Sequence, residues 1–88
     1  MLLVTLDTTR ADRLGCYGYA AGLTPHLDGL AASGVRFDAA YSPSPMTLPA
    51  HTTLLTGLEP PSHGVRLNGR HRLPDGVPTI AEALRAKG

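Results

Sequence analysis

The sequence predicts an α/β fold, and three observations lead there. Leu2 to Leu6 is a short, nearly continuous apolar run with Val and Thr in it. Such a run fits a strand buried on both faces, as in parallel sheets. Thr24-Pro25 then opens a helix, with Leu27, Leu30 and Ala31 at i, i+3, i+4 spacing and Gly34 at its end. Val35 to Tyr41 follows as an alternating stretch that suits a second strand. The order strand, helix, strand, helix, loop, helix is that of an α/β chain.

The elements follow one another with clear punctuation. Asp7 stands at the carboxyl end of the first run, and Thr8 to Leu14 suits one or two helical turns. Gly15 to Tyr19 and Gly22 read as loop. Thr24 offers an N-cap hydroxyl, and Pro25 suits the first helical position. Three prolines surround Thr47 in "SPSPMTLPAHTTLLTG", residues 42–57. Pro49 fits the first turn of a helix running to about Thr56, with Gly57 as its stop. Leu58 to Pro78 reads as loop. Thr79 caps a last helix, Ile80 to Lys87, in which Ile80, Ala83, Leu84 and Lys87 keep helical spacing.

Length and composition restrict the function. Eighty-eight residues, 42% of them hydrophobic and 17% charged, suit one small domain. Eight basic and seven acidic side chains leave +1, so no basic surplus argues for nucleic acid. Cys16 is the single cysteine and forms no internal disulfide. No apolar run approaches the ~20 residues of a membrane span. No signal peptide opens the chain, which sets a cytoplasmic location as the default expectation. A buried-type strand at the first residues and a helix at the last suggest a segment of something larger.

Several residues can carry chemistry. Asp7, where a strand stops, lies where open α/β sheets bind ligands, and its carboxylate can hold a metal. The same position also suits a cap of the next helical turn. Thr47 stands at a helix start, where free N–H groups and the positive end of the helix dipole attract anions. It is equally placed for an ordinary cap. Its hydroxyl is a poor nucleophile until a base or metal activates it. His51, four residues on, shares a helix face with Thr47. Arg10, Arg66 and Asn68 are polar loop residues, and Arg suits a phosphate or sulfate. No HExxH or CxxC spacing makes a self-contained zinc site.

Taken together, "LLVTLDTTRADRLGCYGY", "TPHLDGLAASGVRFDAAYSPSPMTLPAHTTLLTGLEPPSHGVRLNG" and "LPDGVPTIAEALRAKG" resemble, in order, the N-terminal part of the sulfatase family, within the alkaline phosphatase superfamily. The resemblance covers nearly all of residues 1–88. It implies the N-terminal segment of a three-layer α/β domain with a mixed central sheet, acting on a small anionic ester. It implies a divalent metal (zinc, manganese or calcium) and a covalent intermediate released by water. Asp7 matches the family's first metal-binding carboxylate, with Thr8 beside it. Thr47 matches the nucleophile position, which is also a metal ligand. His51, Arg66 and Asn68 would line the anion pocket. The other metal ligands, an Asp-His pair and further His or Asp, normally come from later in such chains.

Two departures sharpen the expectation. Formylglycine sulfatases carry Cys or Ser in a C/S-x-P-x-R pattern, whereas here it reads Thr47-Leu48-Pro49-Ala50-His51. Oxidising a threonine gives a ketone, so the aldehyde-hydrate route is closed, and His51 replaces the arginine of that site. The paired aspartates after the first strand are here Asp7-Thr8. The T-x-P-x-H pattern is similar to the nucleotide pyrophosphatase/phosphodiesterase branch, which usually has Asn where Ala50 stands. The expected activity is hydrolysis of a phosphate or sulfate ester through a threonine intermediate, with phosphoesters favoured. The alternatives are a non-catalytic fragment that cannot complete its metal site, a phospho-transferase of the same superfamily, and an anion-binding module without turnover.

Overall fold

A computed structural model describes residues 1–88. Four α-helices form: α1 (Pro25–Ser33), α2 (Thr47–Thr56), α3 (Pro60–His63) and α4 (Ile80–Ala86). Two single 3₁₀ turns, Ala11–Arg13 and Gly15–Tyr17, precede them. The chain divides into two compact units, Met1–Ala40 and Tyr41–Gly88.

The two expected strands do not form. Residues 2–6 and 35–41 are in neither a helix nor a sheet ladder. Their side chains are exposed, Leu2 to 87% and Phe37 to 70%. The physical reason is the absence of neighbours. A strand satisfies its N–H and C=O groups only against another strand. A strand apolar on both faces also needs a layer on each. Here the two runs do not pair with each other and both stay exposed, so the mixed central sheet expected from the sequence is not seen.

The first unit is organised around Asp28 of α1. Its Oδ1 accepts the Cys16 N–H at 2.7 Å and the Thr24 hydroxyl at 3.1 Å. Thr24 Oγ1 in turn accepts the Gly15 N–H at 2.9 Å. Thr24 therefore bonds the preceding turn and not the N–H groups of α1, which departs from the expected cap. Gly15 is required by this packing, because a Cβ there would lie 2.2 Å from Asp28 Oδ2. Residues 15–17, read as loop, are held in a 3₁₀ turn by these bonds. The Tyr17 hydroxyl donates to the Phe37 carbonyl at 2.9 Å. Arg36 lies over the Tyr17 ring, 5.3 Å from its centre, and donates to the Cys16 carbonyl. Half-buried Cys16 is a packed residue within this knot.

The second unit is built on α2, which contacts both α3 and α4. Pro49 lies in the first turn of α2, as expected, and is buried. Gly57 ends the helix in the left-handed region, φ 72°, with its N–H on the Thr53 carbonyl at 2.8 Å. Helix α3 was not expected. Pro60 and Pro61 take its first positions, where their missing N–H groups cost nothing, and Gly64 stops it after one turn. Val65, His63 and Pro49 are fully buried. Helix α4 begins at Thr79 with a full capping box, as the threonine predicted. Thr79 Oγ1 accepts the Glu82 N–H, and Glu82 Oε2 accepts the Thr79 N–H at 2.8 Å.

Candidate active-site loop

The approach to Thr47 is cross-linked by serines. Ser42 Oγ donates to the Ser44 carbonyl at 2.7 Å, and Ser44 Oγ accepts the Met46 N–H at 3.2 Å. Ser44 is buried. With φ fixed at Pro43 and Pro45, the chain enters α2 on one path. Met46 stands at the N-cap, and its side chain makes no cap bond. Thr47 is the first helical residue and is exposed.

The cap missing at Met46 is supplied from twenty residues away. Asn68 Oδ1 accepts the Leu48 N–H at 2.9 Å. This satisfies one of the backbone donors that a helix start leaves over. His51 is tied to the same first turn, its Nδ1 lying 2.9 Å from the Thr47 carbonyl oxygen. A carbonyl can only accept, so Nδ1 carries the proton. Nε2, at the far edge of the ring, is then an acceptor when the ring is neutral and a donor when it is cationic.

The structure thus brings Thr47, His51 and Asn68 together on the first turn of α2. Arg66 is on the same loop as Asn68 and is exposed. Its guanidinium enters none of the ion pairs Arg10–Asp12, Arg36–Asp38 and Arg72–Asp75. Arg10 is committed to Asp12 at 2.6 Å. Two further residues, Thr53 and His63, have structural roles. Thr53 Oγ1 lies 3.1 Å from His63 Nε2, and His63 Nδ1 accepts the Val65 N–H at 3.0 Å. The only signal for this was a histidine just before a glycine stop.

Asp7 and Thr8 belong to the first unit, in a turn where the Thr9 N–H points to the Leu6 carbonyl at 3.4 Å. Thr8 has φ 58°, the single non-glycine residue with positive φ. A β-branched residue there is strained by about 1–2 kcal/mol. Such strain is concentrated at functional turns. The metal expectation meets a limit within these residues. No three His, Cys, Asp or Glu side chains gather into a group that could hold an ion.

Known proteins give this loop its context. The sulfatase family profile matches residues 1–88. Arylsulfatase A of Homo sapiens is 38% identical over 93 residues, covering 100% of this chain and 18% of the relative. Steryl-sulfatase of Mus musculus is 34% identical, over 99% of this chain and 16% of its own length. N-acetylgalactosamine-6-sulfatase of Canis lupus familiaris is 38% identical, over 100% of this chain and 19% of its own length. No solved structure matches. The chain belongs to the sulfatase family. It spans less than a fifth of the length of these relatives. The family is of the alkaline phosphatase-like α/β class, so the predicted class holds for the family while these residues form only helices.

Proposed function

We propose that this chain carries the nucleophile loop of a sulfatase-family ester hydrolase, with the Thr47 hydroxyl as nucleophile. One observation carries the reading. Thr47 is an exposed residue on the first turn of α2, held on a proline- and serine-braced path, with His51 and Asn68 bonded to that same turn. In the reaction Thr47 Oγ attacks the phosphorus or sulfur of the ester. A bond forms to Oγ, the bond to the alcohol breaks, and the hydroxyl proton ends on the leaving alcohol. Water then cleaves the Oγ adduct, releases the inorganic anion and restores the hydroxyl. The Arg66 guanidinium would attract the substrate anion, and the His51 ring would stand beside it.

The named sulfatases among the relatives support a sulfate ester as substrate. The residue at 47 favours a phosphate ester, because threonine cannot become the aldehyde that formylglycine chemistry uses. A divalent metal belongs to this reading, with Asp7, Thr8 and Thr47 contributing to its ligand set and the remainder supplied by other groups. The test compares an aryl phosphate with an aryl sulfate for wild type and Thr47→Ala. The account expects both esters to be cleaved, the phosphate faster, and turnover to fall by roughly 10³-fold or more in the variant. Undiminished turnover by Thr47→Ala would remove threonine from the nucleophile role.

A further inference from the structure

Asn68 reaches Thr47's helix from a loop that is itself tied down. His63 is fully buried and bridges that loop to α2. Because its Nδ1 accepts the Val65 N–H, its proton is on Nε2 and is donated to Thr53 Oγ1. The far end of the loop is closed by His71. Its Nδ1 lies 3.2 Å from the Arg66 nitrogen and 2.9 Å from the Gly64 carbonyl oxygen, so either tautomer fastens the end of the loop to its beginning. Gly69, φ 74°, lets the chain turn directly after Asn68. Helix α2 is therefore held to one loop at two places, at Thr53 through His63 and at Leu48 through Asn68.

We propose that Asn68 is a positioning residue, which sets the direction of the Thr47 hydroxyl by holding the Leu48 N–H. The inference rests on the Thr47 reading for its consequence in catalysis, though not for the clasp itself. The geometry is specific to an acceptor. Oδ1 is the atom engaged, at 2.9 Å from the Leu48 nitrogen. The Met46 side chain makes no cap bond of its own. Without Asn68 the Leu48 N–H loses this acceptor, and Thr47, as the first helical residue, moves with it. This differs from an asparagine that acts by donating to a bound anion. Such a residue would need Nδ2, and removing it would leave the Leu48 amide unchanged.

The experiment follows amide hydrogen exchange at Leu48 and Val65 in the protein and in its Asn68→Ala and Asn68→Asp variants. Loss of one exposed hydrogen bond corresponds to a rise of about 2- to 10-fold in Leu48 exchange. The proposal expects that rise in Asn68→Ala, with Val65 unchanged, because His63 still holds the loop. Asn68→Asp keeps an acceptor oxygen and restores slow exchange at Leu48. With a cleaved ester as probe, Asn68→Ala lowers kcat by about 10- to 100-fold through misplacement and leaves KM nearly constant. Unchanged exchange at Leu48, an equal rise at Val65, or an Asn68→Asp variant as fast as Asn68→Ala overturns the clasp. A loss confined to KM overturns the positioning role in favour of direct substrate contact. If Thr47→Ala retained full turnover while Leu48 exchange still depended on Asn68, the nucleophile assignment would fail and the clasp would stand.

Discussion

Thr47 and its neighbours show how far single residues can be read. The family resemblance grouped Thr47 with His51, Arg66 and Asn68, and the structure bonds His51 and Asn68 to the backbone of the first turn of α2. The bonds that arrange them were not legible. Asn68 contacts Leu48 across twenty positions, and nothing local to either residue announces the pair. Asp28 is a second case. No sequence signal marks it, yet it holds the Cys16 N–H and the Thr24 hydroxyl and packs against bare Gly15. Gly15→Ala forces this carboxylate aside and breaks those bonds. The expected cost is about 1–3 kcal/mol, typical of overpacking, read as a lowered denaturation midpoint of the first unit.

At the scale of elements, helices with end signals were legible and segments that depend on others were not. Thr24-Pro25, Pro49 with Gly57, and Thr79 each marked a helix that forms. Helix α3 has a single turn, too short for periodicity to reveal, and its two prolines looked like loop. Helix α4 gives an electrostatic prediction. The Thr79 backbone N–H, and then the Thr79 hydroxyl, hold the Glu82 carboxyl below its usual range. A carboxyl whose folded pKa is depressed stabilises the helix above its unfolded value, and that contribution is lost as pH falls through the folded value. Helical signal from residues 80–86 should therefore decline in acid, below the ordinary carboxylate range. Thr79→Ala removes the hydroxyl half of the box and costs about 1 kcal/mol of helix stability. Its acid dependence should be only slightly weaker than wild type, because the residue-79 backbone N–H, the larger cause, still donates to Glu82; complete loss of the acid dependence would mean that the hydroxyl and not the N–H holds the carboxyl down.

At the scale of the molecule, the unformed sheet has a simple cause. The apolar runs at residues 2–6 and 35–41 carry strand character, but pairing is a property of two segments and not one. Here the two runs do not pair with each other and both stay exposed, and the chain spans less than a fifth of the length of its sulfatase relatives. The same holds for the metal. Asp7 is recognisable by its place after the first apolar run, but a ligand set is a property of several residues, and no group of three gathers here. Asp7→Asn in the protein should lower the bound divalent metal, measured as metal per protein after purification. Unchanged metal content would take Asp7 out of the ligand set.

The central claim is that Thr47 forms the covalent intermediate. It is tested most directly by quenching the protein during turnover of an aryl phosphate or aryl sulfate and mapping the modified residue by peptide mass spectrometry. The account predicts a phospho or sulfo adduct on Thr47, absent from Thr47→Ala, which no longer turns over. An adduct on another residue, or steady turnover by Thr47→Ala, would contradict it.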